Sequence, residues 1–145
     1  MPDIAEEKLK RIKKIESAIN KNLFLFCGII TGVVIIMYLI EFFSRGKFPP
    51  AQISFFYIGI VLFYSLHKEM LRWLGEKEIE RQGEWFFYVW IILTLTLYII
   101  NFSTKNYFSG PLNSLREITI TTLQVGAIFV FTRLSKIVKI FFEKR

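Results

Sequence analysis

The sequence predicts an all-α integral membrane protein with four transmembrane helices arranged as two hairpins. Apolar residues make up 53% of the 145-residue chain, with 16 phenylalanines among them, which is more than a soluble domain of this size can bury. They are concentrated in four blocks, separated by charged or turn-forming stretches. The net charge of +7, beside such blocks, indicates an anionic membrane surface rather than nucleic acid as a partner. The length predicts one membrane domain, residues 1–145.

The chain begins with a basic segment, residues 1–22, that predicts an amphipathic helix. Leu9, Ile12, Ile15 and Ile19 recur at spacings of three and four, so they share one helix face. Six lysines and arginines occupy much of the remaining surface. The pattern fits a helix lying on the anionic leaflet of a bilayer, and it fits equally well a helix whose apolar face packs on a protein partner.

A first span is predicted at residues 23–43, whose first 18 residues carry no charge. Gly28 and Gly32 form a G-x-x-x-G pair that permits close packing of another helix. We favour packing within the bundle over a contact between two copies. Glu41 precedes Arg45 by four residues, which predicts an ion pair at the membrane boundary, with an ion- or proton-coupling carboxylate as the alternative.

A second span is predicted at residues 50–68, after a turn rich in glycine and proline. Its uncharged part is about 24 Å long as a helix, less than the roughly 30 Å of a hydrocarbon core. We therefore expect the helix to continue into the charged stretch that follows. Met70, Trp73 and Leu74 share one face there and are expected to pack, and the pair Glu69 and Arg72 is expected on the other.

The charged stretch from His67 to Glu84 connects the two hairpins. His67, Arg72 and Trp73 form the predicted contact face for a protein partner. The second half of the stretch, from Glu76 to Glu84, is acidic. Because the basic ends of the chain are predicted on the same side of the membrane, we expect this acidic half to pair with them in a cap.

The third span, predicted at residues 85–101, begins with an aromatic run that is typical of the headgroup level of a bilayer. The fourth, at residues 115–133, follows a capping box and is the least apolar. Thr122 and Gly126 form a small-x-x-x-small pair for helix packing. Thr121, Thr122 and Gln124 are the candidate residues of a polar path.

A basic amphipathic segment, residues 134–145, ends the chain, and its charges enter the topology prediction. With four spans, 15 of the 19 lysines and arginines lie on the side of the termini and four on the other. This asymmetry predicts cytoplasmic N- and C-termini, in the cytoplasmic membrane of a prokaryote, with an anionic leaflet as the lipid partner.

The sequence contains no motif that predicts catalysis, a cofactor or a metal. Its single cysteine and single histidine cannot supply a zinc site or a nucleophilic triad, and no glycine-rich phosphate loop is present. We therefore expect that the protein is not an enzyme. We expect instead an accessory, assembly or anchoring subunit that binds another protein through its cytoplasmic face. The alternative is a small oligomeric pore or transport protein, holin-like or a channel, acting through the glycine pair and the polar path.

Overall fold

The structure, a computed structural model, describes residues 2–49, 52–74, 84–108 and 114–143. These ranges hold four α-helices: α1 at Pro2–Phe43, α2 at Ile53–Trp73, α3 at Glu84–Ser103 and α4 at Ser114–Glu143. The predicted all-α class and the four helices are thus confirmed. The acidic stretch that was expected to form a cap lies mostly outside the described residues, and only Glu84 belongs to them.

The four helices alternate in direction, as contacts at the two ends of the bundle demonstrate. Near the termini the contacting pairs are Glu16–His67, Phe24–Phe86 and Arg72–Thr132. At the opposite end Phe42 of α1 stacks on Phe108, which follows α3, with ring centroids 5.1 Å apart. We call the first end the terminal end, and the second the hairpin end because the α1–α2 and α3–α4 connections lie there.

Helix α1 is one uninterrupted helix of 42 residues, about 63 Å long. It combines the amphipathic segment 1–22 and the predicted first span without a break. Sharp helix kinks occur at proline, Gly/Ser pairs or bulges, and segment 3–22 contains neither proline nor glycine. The part of α1 before Glu16, which contacts His67, therefore projects beyond the terminal end. Helix α4 also continues past its predicted span, to Glu143.

Aromatic side chains fill the centre of the bundle. Trp90 of α3 is fully buried between Tyr38 of α1 and Tyr57 of α2, at centroid distances of 5.9 and 5.5 Å. Its indole Nε1 donates to the Tyr57 hydroxyl at 2.7 Å. Thr31 Oγ1 lies 3.1 Å from the same hydroxyl and donates to the Cys27 carbonyl. Three helices are therefore joined at one point.

The outer surface is apolar on all four helices, whereas several buried side chains are polar. Exposed apolar residues include Leu25, Ile29, Val33 and Ile36 on α1, Phe55, Phe56 and Phe63 on α2, Ile92, Leu95 and Ile99 on α3, and Leu123, Val130 and Phe131 on α4. Buried polar ones include Thr31, Thr94, Thr121 and Thr122. In a water-soluble domain most large apolar side chains are buried. By length and composition, α1 and α3 could each cross a membrane.

The central position of Trp90 predicts a large loss of stability on truncation. Trp90→Ala should lower the free energy of unfolding by about 3–5 kcal/mol, because it leaves a cavity and removes the indole donor to the Tyr57 hydroxyl. Trp85→Ala is the matched control, since Trp85 is 67% exposed and its loss should cost less than about 0.5 kcal/mol. Denaturant titration in detergent micelles measures both. Equal losses of stability in the two variants would show that Trp90 is not central to the packing.

Candidate functional site

Ionic side chains are buried at the terminal end, where α2 packs against α4. Lys68, Glu69 and Arg72 are only 6–7% exposed. Met70, Trp73 and Leu74, which we expected to be available for packing, lie half exposed on the outer face. The apolar face of this part of α2 thus points outward and the charged face inward.

Arg72 joins α2 to α4. Its Nη1 donates to both carboxylate oxygens of Glu69, at 2.6 and 2.8 Å, which confirms the predicted pair. It also donates to the Thr132 carbonyl of α4 at 3.1 Å. Lys139 of α4 in turn donates to the Arg72 carbonyl. The end of α2 is therefore bonded to α4 at two positions that are seven residues apart.

A second ion pair connects α3 to α4 beside the first. Glu84, the first residue of α3, accepts a hydrogen bond from Arg133. The Arg133 guanidinium carbon also lies 5.2 Å from the centroid of the Phe129 ring, a cation–π distance. The pair joins the last residue of the acidic connecting stretch to Arg133, which immediately precedes the basic C-terminal segment.

These two ion pairs border a cavity of about 30 Å³ between α2, α3 and α4, which has room for one or two water molecules. Its charged lining residues are Lys68, Arg72, Arg133 and Glu84. The remaining lining is largely apolar or aromatic and includes Tyr64, Phe86, Phe87 and Val125. With the adjacent Glu69, the described charged side chains around the cavity are three cations and two carboxylates.

The sequence analysis missed Lys68, Glu84 and Arg133 as site residues, although their positions carry a signal. Glu84 immediately precedes the uncharged block of α3, and Arg133 immediately follows that of α4. Lys68 is the first formally charged residue after the uncharged block of α2. Because successive helices alternate in direction, these three positions must all lie at the terminal end.

The predicted partner face does not form one exposed surface. His67 Nε2 contacts Glu16 Oε2 of α1 at 3.0 Å, while its Nδ1 is buried without a hydrogen-bond partner among the described residues. Arg72 is buried, as described above. Trp73 is half exposed, and its Nε1 donates to the Ser135 hydroxyl at 3.2 Å. The three side chains therefore face α1, the interior and α4, respectively.

The three candidate residues of the polar path do not lie on one face of α4. Thr121 Oγ1 lies 3.0 Å from the Tyr38 hydroxyl, and Thr122 Oγ1 lies 2.7 Å from Thr94 Oγ1, so both threonines are used in contacts between helices. Gln124 is exposed on the outer face of α4. Thr121 and Thr122 therefore lie inside the bundle, whereas Gln124 lies on its outer surface.

The four residues expected in helix packing differ in their surroundings. A Cβ atom on Gly126 would lie 2.8 Å from the Phe87 ring, so α3 approaches α4 closely there, beside the Thr94–Thr122 contact. Gly28 and Gly32 lie exposed on α1, and a Cβ atom on either would meet nothing within 4 Å. The packing within the bundle that we favoured for this pair is not formed in the described part of the chain.

Glu41 is nearly completely buried at the hairpin end, with 4% exposed. Its Oε2 has no hydrogen-bond partner among the described residues. The expected pair with Arg45 is not formed, and the Arg45 guanidinium carbon lies 4.6 Å from the Tyr107 ring centroid instead. Arg45 has a φ of 56°, outside α1, so the i,i+4 spacing no longer brings the two side chains together.

Two further findings concern chemistry and relationship to known proteins. The described ranges contain no group of three or more histidine, cysteine or acidic side chains that could hold a metal ion. No protein-family model, curated protein or solved structure matches the chain. The site therefore has to be interpreted from its own geometry.

The burial of the Glu69–Arg72 pair leads to a second prediction. Glu69→Gln should destabilise the fold by about 3 kcal/mol, because it leaves the buried guanidinium without a counter-charge. The matched control is Glu7→Gln, which breaks an exposed Glu7–Arg11 pair of the same 2.6 Å length and should cost less than about 0.5 kcal/mol. Thermal unfolding of both variants in one detergent tests this, and similar losses would contradict it.

Proposed function

We propose that the chain is a four-span protein of the prokaryotic cytoplasmic membrane, with both termini in the cytoplasm. The apolar outer surface of all four helices supports this. So do the helix lengths: α2 has 21 residues and α3 has 20, or about 30 Å each, while α1 and α4 are longer. The terminal end also carries most of the basic residues, as the positive-inside rule requires.

Within the membrane, we propose that the protein acts as a non-catalytic accessory, assembly or anchoring subunit. The observation that carries this proposal is the part of α1 before Glu16, which projects from the bundle. The stripe of Leu9, Ile12, Ile15 and Ile19 is half exposed, and a helix that continues straight from a membrane span holds its first three residues away from the bilayer. An apolar stripe in that position is stable when another protein covers it.

The surroundings of the stripe define the partner by its chemistry. Residues 6–21 carry six basic and three acidic side chains. A second amphipathic helix with an apolar stripe of its own and acidic flanks would cover the apolar face and neutralise the basic rim. We therefore propose an acidic helical segment of another protein as the partner, bound at the cytoplasmic end of α1.

An oligomeric pore is the second candidate, and a separate observation favours it. Gly28 and Gly32 on α1, and Gln124 on α4, lie on the outer surface, which is otherwise apolar. A second copy packed on the glycine pair could approach closely, and a glutamine is better placed against another protein than against lipid. Because Trp90 and its neighbours fill the centre of one bundle, such a pore would need several copies.

The topology is tested with single cysteines in place of two exposed lysines, Lys47 and Lys105, and the partly exposed Lys13, in a Cys27→Ser background. Lys47→Cys and Lys105→Cys lie at the hairpin end, so in intact cells a membrane-impermeant maleimide should label both. Lys13→Cys should react only after the cells are permeabilised. Labelling of Lys47→Cys without Lys105→Cys would contradict four spans, since it is the pattern expected if α1 and α3 alone crossed the membrane.

The partner proposal predicts that substitutions on the apolar stripe abolish binding. Ile12→Gln combined with Ile15→Gln should reduce the protein recovered with the affinity-tagged chain by at least about tenfold, because two isoleucines lose their buried contacts. Lys10→Gln combined with Lys14→Gln is the matched control on the opposite helix face, with an expected loss below about threefold.

The same purification distinguishes the accessory subunit from the oligomeric pore. Recovery of only further copies of the chain, unaffected by the isoleucine substitutions, would contradict the accessory-subunit proposal. Ion flux from liposomes containing these copies, changed by Gln124→Leu, would instead support the pore. The measurement is the subunit composition by mass spectrometry followed by a flux assay.

A further inference from the structure

We propose that Glu41 of α1 and Glu117 of α4 form a site that binds one exchangeable proton, which Glu41 carries. This inference rests on the membrane placement proposed above, which puts the hairpin end on the outer side of the membrane. The proton therefore comes from the outer aqueous phase, to which Glu117 is exposed.

The register of α1 against α4 brings the two glutamates to one level of the bundle. The Tyr38 hydroxyl lies 3.0 Å from Thr121 Oγ1, which fixes the register. Glu41 follows Tyr38 by three residues, or about 4.5 Å along α1. Glu117 precedes Thr121 by four residues, or about 6 Å along α4. Because the two helices run antiparallel, both steps lead toward the hairpin end, and the charge of Glu117 acts on the Glu41 carboxyl there.

Glu41 has no counter-charge in the described part of the chain. It is 4% exposed, and its Oε2 lacks a hydrogen-bond partner among the described residues. The first charged residue of α2 is Lys68, at the terminal end. The cations of the hairpin end are all exposed, and no described ion pair joins one of them to Glu41: Arg45, Lys47, Lys105 and Arg116. The connecting residues outside the described ranges, 50–51 and 109–113, contain no lysine or arginine.

One proton removes the two costs of this arrangement. An ionised carboxylate that is buried without a partner is strongly unfavourable, and a second carboxylate beside it adds repulsion. Protonation of Glu41 neutralises the buried group, while Glu117 keeps its charge in contact with water. The two carboxyl groups then share one proton and titrate as a pair. A proton also needs no shell of further ligands, whereas a metal ion takes several oxygen atoms.

The bound proton stabilises the contact between α1 and α4 at the hairpin end. Its release places two negative charges about one helical turn from the Tyr38–Thr121 hydrogen bond, which joins these helices. The folded protein holds the proton more tightly than the exposed group of the unfolded chain does, since only the folded protein buries Glu41. Stability should therefore fall as the pH rises through the midpoint of proton release.

The test is infrared spectroscopy of the purified protein in detergent micelles at a series of pH values. At neutral pH the unaltered protein should show the C=O stretch of a protonated carboxyl group, and this band should shift when H₂O is replaced by D₂O. Glu41→Gln should abolish the band, because an amide replaces the acid. It should also abolish the fall in melting temperature across the pH range in which the band of the unaltered protein disappears.

Two further variants separate the pair from a general effect of lost acidic charge. Glu117→Gln removes the neighbouring charge, so the band should disappear at a lower pH, with a shift of up to about one pH unit. Glu7→Gln also removes an exposed glutamate of the chain, but at the far end of α1, and should leave the midpoint unchanged. Equal midpoints for Glu117→Gln and Glu7→Gln would overturn the pairing of Glu41 with Glu117.

The absence of an exchangeable band at neutral pH, or its persistence in Glu41→Gln, would overturn the proton site. Sodium chloride and choline chloride are titrated in parallel, and loss of the band with sodium alone would overturn the assignment to a proton. Carbonate extraction of native membranes tests the membrane placement independently. Retention of the protein in the membrane without the band would refute only the proton site.

Discussion

Hydrogen bonds between buried polar side chains of different helices are the interaction on which this bundle depends. Its outer surface is apolar on every helix, so apolar burial alone would not select one rotation of each helix over another. The contacts Trp90–Tyr57, Thr94–Thr122 and Tyr38–Thr121 each join two helices at a defined height. A rotation or a shift of one helix by a single residue would break these bonds in surroundings where replacement partners are scarce.

The same constraint explains the charged cluster at the terminal end. Once the apolar side of α2 faces outward, the opposite side, with Lys68, Glu69 and Arg72, must face α4. These charges are tolerated because carboxylates and backbone carbonyls neutralise or accept from them at short distances. The extension of α2 beyond its short apolar block therefore also places charged side chains at the edge of the cavity between α2, α3 and α4. Glu41 at the other end is the contrasting case, a buried carboxylate whose Oε2 has no described partner.

Parts of the candidate site were predictable and others were not. The Glu69–Arg72 pair follows from spacing alone, since i and i+3 are neighbours on any helix. The Thr132 carbonyl as a further acceptor, and the alignment of Glu84 with Arg133, depend on how α4 is rotated against α2 and α3. The half-exposed positions of Met70 and Trp73 depend on the same rotation: periodicity shows that residues share a face but not which way that face points. Glu41 and Arg45 failed to pair because the helix ended between them.

The sequence by itself determined the helical class, the four helices and the alternation of apolar blocks with charged stretches, because these follow from local composition and periodicity. It also contained the continuous amphipathic pattern at the N-terminus. Only the tertiary structure decided that this pattern belongs to one helix with the first apolar block, so that its stripe projects from the bundle. Likewise, only the packing assigned Gly28, Gly32 and Gln124 to the outer surface and Lys68, Arg72 and Arg133 to one cavity. The physical reason is that helix rotation and register are set by contacts between segments distant in sequence, which a local pattern does not encode.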